Sequence, residues 1–283
     1  MIMKNLIIFL IIVGIASSCV ELIDIDVDTA PSRLVIFGDI STEAKQHSIR
    51  ITRTAGYFTT DNPAGVSGAT VSISDEGGNI FYLSESADER GLYQTADNVR
   101  GEEGKTYTLN VQVETQHYSA TALMPHINDI SSVELKVSSI SENLVEVLVY
   151  MEDVENLPEN NFYTIFVSIN DTPLNPTIDR FRVLSNIRDG MPCFILRQNA
   201  EDDDVRNLVR IGDKVTVNIN AISQEYVDFI RAAQSEIRGS NPIFGGPPAN
   251  VPTNIRGDNP VLGFFTAFSS RFAEVVYEEI ENK

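Results

Sequence analysis

The chain has 283 residues, 40 acidic against 21 basic, and a formal charge of −19. That length suits one large or two modest domains. The acidic balance excludes nucleic acid and anionic lipid as ligands, because phosphate binding needs clustered Lys and Arg. Two cysteines, Cys19 and Cys193, do not make a disulfide scaffold.

At the N-terminus Lys4 precedes an apolar run over residues 6–15, followed by Ala16, Ser17, Ser18 and Cys19. A basic residue, a short apolar run and small residues make a secretory signal peptide over residues 1–18. The run falls short of the roughly 20 apolar residues that a spanning helix needs. A cysteine directly after the small residues resembles the bacterial lipobox. The resemblance implies that Cys19 becomes an acylated N-terminus. Each buried CH₂ contributes about 0.8 kcal/mol, and several chains together anchor a protein stably. Residues 19–32 then read as an acidic tether carrying Glu21, Asp24, Asp26 and Asp28. Acidic residues soon after the cysteine resemble the export feature of surface lipoproteins in Bacteroidetes.

From residue 33 the chain reads as strands and turns. Residues 34–40 are an apolar strand, and 48–53 and 69–74 alternate with period two, which gives one buried and one wet face. Asp75, Glu76, Gly77, Gly78 and Asn79 have hairpin-turn composition. Strands follow at 80–83, 91–93, 107–113 and 117–122. Short strands at this spacing describe a β-sandwich over residues 33–125. A second β-rich domain, 126–283, is predicted from strands near 130–137, 144–151, 162–169, 181–184, 193–196 and 215–221. The period changes at Ser223, an N-cap candidate for a helix about 223–238, with Tyr226, Ile230, Ala233 and Ile237 on one face. Residues 241–260 form a long Pro/Gly/Asn-rich loop, functional or wrapped over the body. Strands at 262–269 and 272–280 close the chain. The expected fold is mainly β, an immunoglobulin-like or transthyretin-like sandwich followed by a β-rich domain with one amphipathic helix.

Few residues announce chemistry. His47, His117 and His126 lack the clustered spacing of a zinc site. Glu201, Asp202, Asp203 and Asp204 are four consecutive carboxylates whose repulsion a hard cation such as calcium could relieve, although the run lacks the alternation and glycine of an EF-hand loop. With 40 acidic residues the sequence cannot select a catalytic pair, and no Gly-x-Ser-x-Gly elbow or GxGxxG is present. Tyr57, Phe244 and Phe264 are candidates for stacking on a sugar or anchoring a partner, against the alternative that Phe264 fills the core. Cys193, in an apolar setting, reads as a buried thiol rather than a nucleophile.

Several segments together carry a family resemblance. They are the lipobox, residues 34–38, 51–58 and 66–75, Gly91-Leu92-Tyr93, 104–109, and 250–255 with Gly263-Phe264-Phe265. The chain resembles the DUF4249 family of Bacteroidetes lipoproteins over nearly its whole mature length. Residues 66–75 and 104–109 are also similar to the non-catalytic carboxypeptidase-regulatory or transthyretin-like sandwich. The resemblance carries no catalytic residue. It implies a non-enzymatic accessory lipoprotein of the outer membrane, exposed at the cell surface or on the periplasmic face. Such a protein would act with a TonB-dependent transporter in nutrient capture or uptake. The alternatives are a surface glycan- or peptide-binding module and an uncharacterised hydrolase.

Overall fold

Strand formation follows from the alternation seen in the sequence. In the computed structural model, which describes residues 32–54, 63–152, 161–187, 190–198, 207–238 and 251–278, seven strands lie in the first half. They are β1 (Leu34–Ser41), β2 (Ser48–Arg53), β3 (Thr70–Asp75), β4 (Ile80–Glu85), β5 (Leu92–Gln94), β6 (Thr106–Val113) and β7 (Gln116–Leu123). The second half adds β8 (Ile130–Val137), β9 (Leu144–Met151), β10 (Phe162–Ile169), β11 (Thr172–Pro173), β12 (Arg182–Ser185), β13 (Met191–Arg197), β14 (Lys214–Ile222), helix α1 (Gln224–Ile237), β15 (Arg256–Gly257) and β16 (Val261–Val276). The protein is mainly β and sandwich-like, as expected, with α1 the one α-helix among the described residues.

One layer of the first half runs β16–β1–β2–β5 and the other β4–β3–β6–β7–β15, with β4 joining β5 at the corner. Their inward positions meet in one core that includes Ile36, Ile51, Ile73, Tyr107 and Leu109. That core also takes Ile255, Val261, Phe265 and Ala267 from the end of the chain. Residues 33–125 therefore do not close on themselves. The second core lies between β10–β14–β16 and the three-stranded sheet β13–β9–β8.

Two expectations are corrected here. The closing pair of strands is a single 16-residue strand, β16. Its first half runs parallel to β1 and its second half antiparallel to β14. The intervening Ser269-Ser270-Arg271, polar enough to look like a break, is bonded inside the strand. Ser269 Oγ donates to the Pro125 carbonyl, and Ser270 Oγ pairs with Asn220 Oδ1 at 2.7 Å. The long loop 241–260 is not structureless throughout. Its described part holds β15 and buries Ile255, while Asn254 clamps Phe265 through both backbone groups, at 3.0 and 2.7 Å.

Ser223 caps α1 as predicted, accepting from the Tyr226 N–H at 3.3 Å. The buried stripe is Tyr226, Val227, Phe229 and Ile230. Ala233 is half-buried and Ile237 is 57% exposed. The last turns run past the aromatic surface, where Gln234 instead donates to the Ile178 and Phe181 carbonyls.

Candidate functional site

The outward face of β4–β3–β6–β7–β15 is set by the same alternation that builds the core. With Val71, Ile73, Leu109 and Val111 turned in, the intervening Thr, Ser, Asn and Gln must point out. Strand register lines three of them, with Tyr82 and Arg256, into a row of five across the sheet. Tyr82 pairs with Ser72, Ser72 with Asn110, Asn110 with Ser119, and Ser119 with Arg256. Four interstrand gaps make this row about 19 Å long. At one end Tyr82 is 71% exposed. At the other, Arg256 makes no ion pair among the described residues. In a chain of charge −19, no outward position of these five strands carries a carboxylate. Asp258, just beyond β15, directs its carboxylate to the His117 backbone N–H at 2.8 Å.

Two hollows adjoin this face. A depression of about 470 Å³ lies over Ser72, Asn110, Gln112, Ser119 and Arg256. A cleft of about 980 Å³ runs from β7 to the start of α1, with Ser223, Asn254 and Phe264 in its walls. Ser119 and Arg256 line both, so the two are contiguous. Glu225 is the single carboxylate among the described residues of the cleft lining.

The sequence candidates fall in different places. Cys19, Tyr57, Phe244 and the Glu201, Asp202, Asp203, Asp204 run lie outside the described residues. Phe264 is 3% exposed and sits 5.3 Å from the Tyr226 ring and 4.9 Å from the Phe229 ring. It is a packing residue under α1 whose edge borders the cleft. The histidines are dispersed. His47 is buried with Nε2 3.0 Å from the Val99 carbonyl, His126 is exposed beside Glu103, and His117 lies at the rim of the polar face. No metal-holding group of His, Cys, Asp and Glu occurs among the described residues. Cys193 is fully buried at a bulge in the β13–β9 pairing, and burial pushes its thiol up to about 12. A thiol so protonated is a poor nucleophile.

The polar row was missed at the sequence level. Its signal was present in the uncharged half of each alternating segment: Thr70, Ser72 and Ser74, then Thr108, Asn110 and Gln112. What the sequence did not supply was the strand order that brings them together with Tyr82 and Arg256.

Fold and surface define a mainly β, sandwich-like protein with a polar sheet face whose outward strand positions carry no carboxylate. A family model described as "Domain of unknown function (DUF4249)" matches residues 20–272, and the chain belongs to that family. A search of curated proteins found no match.

Proposed function

We propose that this protein is an acylated accessory lipoprotein of the outer membrane, of the Bacteroidetes type, that catalyses no reaction itself. It assists a TonB-dependent transporter in capturing or delivering a nutrient. The observation that carries this reading is the junction at Cys19. Basic residue, apolar run and small residues lead to that cysteine, and the family match begins at the next residue, 20. Acylation at Cys19 would hold an acidic body at a membrane whose anionic surface would otherwise repel it. The resemblance noted above supplies the transporter as partner.

The test is purification of the full chain from native membranes. A large β-barrel protein should co-purify with the lipid-labelled chain, and Cys19→Ser should lose both label and membrane attachment. Recovery of the acylated chain alone, under conditions that keep transporter complexes intact, would overturn the partnership. Label persisting in Cys19→Ser would overturn the anchor.

A further inference from the structure

We infer that the outward face of β4–β3–β6–β7–β15 is a binding site for a neutral oligosaccharide. Tyr82 supplies the stacking platform, and Ser72, Asn110, Ser119 and Arg256 supply the polar contacts. This goes beyond the transporter reading and does not depend on it.

A sugar chain presents apolar C–H faces and rims of hydroxyl groups, with no net charge. The face matches each feature. Tyr82, 71% exposed, offers an unobstructed ring at one end of the row. Serine hydroxyls and the Asn110 amide donate and accept in turn, and the Arg256 guanidinium, with no carboxylate partner among the described residues, donates. The row places these groups at regular interstrand steps over about 19 Å, the extended spacing a linear chain of hydroxyl-bearing rings can follow. The adjoining depression of about 470 Å³ is within the range of ligand sites.

The missing carboxylates separate this occupant from others. A face without carboxylates offers no counter-charge to a cationic ligand, which would be desolvated there unpaired. A nucleic acid would need many cations, and the face has one arginine. A protein partner would meet a centre of Ser and Asn, whereas interface cores are enriched in aromatic residues and Met and depleted in Ser. The groove continues past Ser119 and Arg256 into the larger cleft, which leaves room for an oligosaccharide longer than the row.

The experiment uses the full chain in a zwitterionic detergent that carries no sugar headgroup. It is probed on an array of neutral and acidic glycans, and the strongest neutral oligosaccharide is then titrated by calorimetry. Neutral glycans should be retained, with an affinity that raised salt leaves unchanged. Tyr82→Ala should weaken binding roughly tenfold or more, Tyr82→Phe should largely restore it, and Asn110→Ala should weaken it severalfold. Both positions are exposed, so thermal midpoints should stay at the wild-type value. Retention of polyanionic glycans alone, no retention at all, or neutral binding unchanged in the Tyr82→Ala/Asn110→Ala double variant would each overturn the inference. No transporter is present in these measurements. A negative result leaves the partnership standing, and a failed co-purification leaves this face untouched.

Discussion

Asp75 shows how a single side chain fixes a hairpin. Its carboxylate accepts from the Asn79 backbone N–H at 2.9 Å and from Asn79 Nδ2 at 2.8 Å, with Lys105 Nζ at 3.5 Å. Gly78, at φ +89°, closes the turn by donating to the Asp75 carbonyl. The Asn79 hydrogen bond, aided by Lys105, holds the Asp75 carboxyl below its ordinary range. A depressed carboxylate stabilises the fold above its unfolded pKa of about 3.9, and that stability is lost as pH falls through the lower folded value. Asp75→Asn should therefore destabilise the protein at neutral pH by about 1–2 kcal/mol. The difference from wild type in urea unfolding should shrink as the pH is taken below about 4. A difference that stayed constant across that range would show that the charge is not what holds the turn. The turn itself was legible in the Asp-Glu-Gly-Gly-Asn composition. The role of Lys105 was not, since it reaches Asp75 from the far end of the neighbouring hairpin.

Among the elements, β16 carries the least forgiving contact. Gly263 sits at φ +103°, opposite Ile36 in the parallel pairing with β1, and a Cβ there would lie 1.9 Å from the Ile36 carbonyl oxygen. Neither backbone can yield without breaking the pairing. Gly263→Ala should cost about 3 kcal/mol or more, adding backbone displacement to the left-handed strain. Gly78→Ala has a comparable positive φ but nothing within 4 Å of the new methyl, and should cost only about 1–2 kcal/mol. Comparable losses for the two in denaturant titrations would count against the close approach. Elements dominated by local pattern were readable from the sequence. β8, β9 and β10 occupy the residues that alternation predicts, and Ser223 caps the helix it was expected to cap. What escaped depends on distant partners. Arg256-Gly257 is a strand through its pairing with β7, and Ser269-Ser270 is held within β16 by its pairing with β14, with its hydroxyls bonded to Pro125 and Asn220. The candidate binding row has the same origin. Its polar residues are local alternation, while their alignment with Tyr82 and Arg256 is topology.

At the scale of the whole molecule, β16 makes the two cores interdependent. Its first half gives Val261, Phe265 and Ala267 to the core of β1–β7, and its second half pairs with β14 over the other core. Between them Arg271 reaches Glu103 at 2.9 Å, donates to Asp129, and lies 3.4 Å from the Ile127 carbonyl. It thereby ties the end of the first half to the start of the second. Cutting the chain after residue 125 would remove Phe265, which is fully buried, along with the strand that covers one edge of β1. Loss of one such phenylalanine costs about 3–5 kcal/mol, and Ile255, Val261 and Ala267 would be lost with it. Native domains hold only about 5–15 kcal/mol in all. Residues 33–125 expressed alone should therefore fail to fold, giving a collapsed amide spectrum and no cooperative melt. The full chain should unfold in one transition, coincident by far-ultraviolet dichroism and tyrosine fluorescence. A dispersed spectrum and a sharp melt for 33–125 would mean that β16 merely rests on a sandwich complete without it.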